Sequence, residues 1–454
     1  MTTTRLSATQ AMASWATGLQ AADVPARVRI GAQTSLIDTM GVAIAGSATR
    51  VGKLAALVGL QGQPRGNSTV LGSGQVAAPA AAAFINGAAA HALDFDDNCY
   101  AGVVHGSAVI APAALAMAQH VGASGSELLT AFIAGSECEY AFGAATDNVL
   151  YEQGWWTTGV LGPVGACVAA SRLLGLNAEQ MTAGLGLALA GTGGAKSCFG
   201  TDGKPLLAGR ASEAGVVCAL LAAQGATAPV RAVESANGFA NLFNSGRFDA
   251  DAFARLGRRW FAEDPGVDIK RMPVCLSSHA AVDAVMHMVS GHGIAPDEIE
   301  RIDCDVPDIV RKNLVYDQPG TTQQSQFSMP FAVAVSLVCG TLKLEHLDVK
   351  WLADPRVAVL MPRVHMHTGA RWQDPALRKS APEGAHVRVR LSDGRQFELF
   401  RATARGSVAY PLSRAEIDGK FLDCTSPVLG HEASSALLGR LNKLDGPSLV
   451  SSIF

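Results

Sequence analysis

Residues 77–225 hold an unusual density of alanine and glycine and few charges, and this constrains the fold more than any other feature of the chain. Apolar positions recur there at helical spacing, between connections rich in glycine. Small side chains let helix backbones approach closely, so the stretch predicts a tightly packed helical core rather than a sheet. Helices are expected at 24–45, 79–90, 107–120, 124–145, 159–174, 178–190 and 209–223. The uncharged runs 154–170 and 181–195 are broken by Gly and Pro, which reads as buried helix and not as a membrane span.

Near Asp264-Pro265-Gly266 the pattern changes. A helix at 277–290 precedes a segment, 298–306, that alternates polar and apolar residues as a strand does. Another helix follows at 327–340. Residues 386–391 and 395–400 then alternate on either side of Ser392-Asp393-Gly394, which predicts a β-hairpin. Helices return at 416–424 and 431–442. The expected fold is mainly α, with an all-α helical domain built from residues 1–266 and 406–454 and an inserted α+β lid domain at 267–405.

Charge narrows the partners. The net charge is −3 and no run of Lys or Arg occurs, which argues against nucleic acid or an anionic membrane as partner. Residues 1–20 lack a continuous apolar core of the kind a signal peptide needs. The nine cysteines are scattered singly, without a Cys-x-x-Cys pair. Reduced thiols in a cytoplasmic protein, with no structural zinc, are the expectation.

Against this apolar background, the stretch from His91 to His105 brings together Asp94, Asp96, Asp97 and two imidazoles between two expected helices. Loops held by rigid elements are where chemistry concentrates. The carboxylate and histidine spacing suits neither a hard cation nor zinc, so no metal is expected. Lys204 opens a small-residue helix, an unfavourable end for a cation unless an anion shares the site. Arg210 and Lys270 are expected as neighbouring charges. Gly191-Thr-Gly-Gly194 followed by Lys196-Ser197 has the look of a phosphate loop but lacks its Gly-Lys-Ser/Thr order, so no nucleotide cofactor is expected.

An ordered set of motifs resembles the MmgE/PrpD family along essentially the whole chain. The set comprises Asn86-Gly87, His91-Ala-Leu-Asp-Phe-Asp-Asp97, His105 with Ser107, Thr201-Asp202-Gly203-Lys204, Lys270-Arg-Met-Pro273 with His279, Phe327-Ser-Met-Pro330, Pro411-Leu-Ser413 and Lys420-Phe421. The resemblance implies an all-α domain with an α+β lid, a homodimer, and a site between the domains. It also implies a small polycarboxylate substrate and chemistry beside a carboxylate without cofactor. Asp94 and His105 match family positions at the substrate site.

The departures bear on the reaction. Where dehydratases and decarboxylases of the family read Gly-Phe-His-Pro-Thr-Gly, this chain reads Gly154-Trp-Trp-Thr-Thr-Gly159, so Trp156 replaces a histidine. Cys275 stands where decarboxylases place another histidine, and Asn98 where they have threonine. Expelling hydroxide or protonating a carbanion calls for a well-placed acid, usually histidine. The expectation is therefore a cofactor-independent epimerase of an iminodisuccinate-like imino- or amino-polycarboxylate, with a dehydratase or decarboxylase of a citrate- or aconitate-like acid as the alternative. Lys204 and Tyr151 are the expected opposed acid/base groups, the phenol lowered by nearby cations, with His105 assisting. Asp94, Asn98, Trp156, Arg210, Lys270 and Cys275 are the expected substrate-binding residues.

Overall fold

The computed structural model describes residues 6–62 and 66–454. It is mainly α, with an α+β second part. Long helices span Ala26–Ser47, Pro79–His91, Gly106–Val121, Gly125–Ala145, Thr157–Leu173, Ala178–Ala190 and Gly203–Ala223. Several start where the side chains demand it. Ser124 with Glu127 and Asn177 with Gln180 form reciprocal capping boxes that satisfy free N–H groups at the first turn.

Small residues set the spacing of these helices. A Cβ placed on Gly46 would lie 1.9 Å from the Ala89 carbonyl oxygen, and one on Gly209 would lie 2.4 Å from that of Phe84. At those points backbone rests directly on backbone. The Gly203–Ala223 helix is long and apolar enough to cross a membrane, yet its buried face lies against the Pro79–His91 and Thr157–Leu173 helices.

One hydrophobic cluster gathers buried side chains from Ala8 to Phe261 and also takes in Phe421, Leu437, Leu441 and Val450. The helices Arg414–Leu429 and His431–Leu441 thus return to the first part of the chain, the former packing on Ala26–Ser47. A separate cluster lies between Met272 and Leu391. There the helices His279–His292 and Met329–Cys339 cover a four-stranded sheet ordered Val364–His367, Ile299–Asp305, Ala385–Leu391, Gln396–Arg401. The first pair is parallel and the others antiparallel. The hairpin expected from alternation is present, with Ala385, Val387, Val389 and Leu391 buried and Gly394 at φ +90° in its turn.

Most expected boundaries shift by one or two residues, and one shifts further. The helix expected from residue 209 begins at Gly203, which places Lys204 in its first turn. The segment 298–306 forms the strand Ile299–Asp305, as alternation predicts. All nine cysteines are free thiols.

Candidate active site

The connection between the Pro79–His91 and Gly106–Val121 helices supplies one wall of the site. Asp94 adopts φ +47°, a left-handed conformation that aspartate tolerates better than most residues. Two lysines converge on it from distant parts of the chain. Lys204 Nζ donates to Asp94 Oδ1 at 2.5 Å, while Lys270 Nζ donates to Asp94 Oδ2 at 3.0 Å and to its carbonyl at 2.7 Å. Burial favours the neutral acid, but the two ammonium groups outweigh it and hold the Asp94 carboxyl well below the usual carboxylate range. Lys270 is fully buried. Desolvation works against its charge, but Asp94 and Asp96 reverse the balance and raise it.

The histidines are neutral bases here. His91 Nδ1 meets Asp96 Oδ2 at 2.7 Å, and burial lowers its imidazole despite that carboxylate. His105 Nδ1 lies 2.8 Å from the Asp97 carbonyl. A carbonyl only accepts, so Nδ1 carries the hydrogen and Nε2 keeps its lone pair. Burial pushes His105 down to about 3 against the pull of Asp96. Asp97 accepts from Ser107 Oγ at 2.5 Å and is pushed by burial up to about 7. One ligand atom each from His91, Asp96 and His105 lies within 4.8 Å of the others, so these three residues are the group in the site that could contact a cation.

Aromatic rings close around Lys204. Its Nζ is 4.8 Å from the ring centres of both Phe199 and Phe327 and 5.9 Å from Trp156. Trp156 is buried and lies against His91, with ring centres 5.3 Å apart. Where the family pattern has an imidazole, this chain has an indole packed on one. A cleft of about 1120 Å³ opens beside the loop, lined in part by Leu93, Phe95, Arg271, Gln326 and Lys420.

Lys204, Lys270, Asp94, His105 and Trp156 thus come together. Cys275 lies close enough for Asp94, Lys270 and Lys204 to act on it, but burial pushes its thiol up to about 11, so it is no thiolate at neutral pH. Asn98 is buried, and among the described residues its Nδ2 has no hydrogen-bond partner. Arg210 does not join them. Six residues past Lys204 is about one and two-thirds helical turns, which leaves it about a third of a turn away from Lys204, and there it pairs with Glu213 in an exposed position. Tyr151 is also displaced from its expected role. Its hydroxyl donates to Asn313 Oδ1 at 2.6 Å, and burial drives the phenol well above its ordinary value instead of cations lowering it. The cation on its ring is Lys196, 3.4 Å from the centre.

Sequence reasoning missed Glu383, which accepts from Tyr100 at 2.8 Å and from Ser277, and whose carboxyl burial raises. No local motif marks it. Lys196 was visible only as part of a failed phosphate loop.

Models of the MmgE/PrpD N-terminal and C-terminal domains match residues 10–250 and 272–441. The chain belongs to the MmgE/PrpD family. Among MmgE/PrpD relatives, cis-aconitate decarboxylase of Homo sapiens is 25% identical, over 97% of this chain and 92% of its own length. The mouse enzyme of the same name is 25% identical over 90% and 85%. A cis-aconitate decarboxylase-like protein of Aspergillus oryzae is 24% identical over 98% and 96%. These relatives overturn the expected epimerisation: decarboxylases, which are lyases, and not isomerases, are what the chain resembles from end to end. Nor is the Tyr151 phenol lowered by cations as that expectation held: its hydroxyl donates to Asn313 and burial raises it.

Proposed function

We propose that the chain is a cofactor-independent decarboxylase of a small unsaturated polycarboxylate of the cis-aconitate class. The observation that carries this reading is the buried Lys204–Asp94–Lys270 array ringed by Phe199, Phe327 and Trp156, in a chain similar over nearly its whole length to proteins named for that reaction.

In such a substrate a –CH2–CO2⁻ arm adjoins a C=C bond. Breaking the C–C bond releases carbon dioxide, and its electron pair becomes a new C=C bond. The former π pair takes a proton at the carbon next to another carboxylate. In this reading Lys204 gives that proton, with its Nζ held by the contact to Asp94. The missing histidines at positions 156 and 275 then matter less, because an ammonium supplies the acid. The apolar rings favour departure of carbon dioxide, since the reacting carboxylate loses its localised charge where water is excluded. His105, neutral with Nε2 free, is suited to accept a hydrogen bond from a substrate.

The test is release of carbon dioxide from cis-aconitate, with Lys204→Met as the control. Wild type should release it and the variant should lose about 10²- to 10⁴-fold in kcat. Absence of carbon dioxide release, with water lost from 2-methylcitrate instead, would sink the reading.

A further inference from the structure

Lys196 stands apart from the other lysines of the site. Lys204 and Lys270 share the Asp94 carboxylate, whereas among the described residues Lys196 has no carboxylate within ion-pair distance. Its position is built in. The Lys196 N–H donates to the Gly154 carbonyl at 3.0 Å, and the Trp156 N–H donates to that of Gly194 at 3.0 Å, so segment 194–196 is stitched to segment 154–156. Its side chain is half-buried, with Nζ seated over the Tyr151 ring and 5.8 Å from the ring centre of Phe199. Phe199 is the same ring that Lys204 approaches from 4.8 Å, so the two ammonium groups flank one aromatic. A cation–π seat fixes an ammonium without neutralising it.

A tricarboxylate carries more negative charge than the Lys204–Asp94–Lys270 array alone can offset. We infer that Lys196 is a substrate-binding residue that takes a carboxylate remote from the one lost, and so sets the preference for three carboxylates over two. This rests on the polycarboxylate reading above but not on the bond that breaks. The groups facing Lys196 are Tyr151, Cys275, Glu383, Lys204 and Lys312. Burial is the largest influence on its ammonium and brings it down to about 8. The charge is present at neutral pH and is lost as pH rises through that value.

The experiment is calorimetric binding of propane-1,2,3-tricarboxylate, an unreactive saturated analogue, and of glutarate, to the full-length wild type, Lys196→Met and Lys196→Arg. Loss of one charge-assisted contact should weaken the tricarboxylate roughly ten- to a hundredfold in Lys196→Met. Glutarate should change by less than about twofold, and arginine should restore part of the loss. Wild-type affinity for the tricarboxylate should fall between pH 7 and 9, more steeply than that of Lys196→Met. Unchanged tricarboxylate affinity in Lys196→Met, equal loss for both ligands, or no binding to wild type would each overturn the inference. Lys196-dependent binding without carbon dioxide release from cis-aconitate would instead sink the decarboxylase reading and leave this one standing.

Discussion

Replacing Lys420 with methionine tests how the acidic loop is held. The Lys420 ammonium lies 2.7 Å from Asp38 Oδ1, with side-chain exposures of 7% and 1%, and donates to the Phe95 carbonyl at 2.8 Å. Methionine fills similar volume but leaves Asp38 as a buried charge without its counter-ion, a change that costs about 3–5 kcal/mol. For 454 residues melting as one unit the unfolding entropy is about 1 kcal/mol/K, so Tm should fall by roughly 3–5 °C. The Asp38 carboxyl is already raised, because burial outweighs Lys420, and without the lysine it takes a proton more readily. The deficit should therefore shrink as pH is lowered, and Asp38→Asn combined with Lys420→Met should recover most of it. Thermal unfolding followed by circular dichroism at pH 5 and 8 measures the wild type and both variants. A Tm unchanged in Lys420→Met, or a double variant no more stable than the single, would refute the reasoning. Since Phe95 adjoins Asp94, carbon dioxide release should also fall in Lys420→Met, as it would not for a merely peripheral ion pair.

Other consequences can be checked as directly. His105 is neutral down to about pH 3, so the pH profile of kcat/KM should show no ionisation near 6.5 that disappears in His105→Gln. Glu139 is fully buried, neither carboxylate oxygen has a hydrogen-bond partner among the described residues, and burial raises it to about 8. Its folded-state value exceeds the unfolded one, so the stability it confers is complete below about pH 4.5 and is lost as pH climbs toward 8. Glu139→Gln should remove up to about 1.4 kcal/mol per pH unit from that slope in urea titrations. Gly46→Ala would drive a methyl into the Ala89 carbonyl and should cost at least about 1–3 kcal/mol, read as a lower Tm; an unchanged melt would mean the helices can part there.

The legible parts of this fold are those where local pattern and tertiary packing agree. The hairpin at 385–401 alternates because one face is buried, and the capping boxes at Ser124 and Asn177 announce their helices. Lys204, Asp94 and Lys270 were found because they sit in distinctive short motifs. Arg210, expected as a neighbouring charge, is instead carried by the helix to an exposed position beside Glu213. Glu383 and Tyr100 come from separate turns and Asn313 from the end of a short helix, with no motif, so nothing in their neighbours foretells their meeting with Ser277 and Tyr151. The reaction was misread for a related reason. Absent histidines at 156 and 275 are visible in sequence, while the pairing of Lys204 and Lys270 on one buried Asp94 carboxylate is visible only in three dimensions.

The return of the last helices to the first has a consequence in time. A ribosome delivers the Ala26–Ser47 helix and the Asp94 loop long before Lys420 and Phe421, yet those late residues neutralise Asp38, hold the Phe95 carbonyl and fill the surface over Gly41. A nascent chain can build most of its helical core and still lack the clamp on its acidic loop. Activity should therefore switch on only when Arg414–Leu429 has left the exit tunnel and docked, so that an unfinished chain meets its substrate as a bystander.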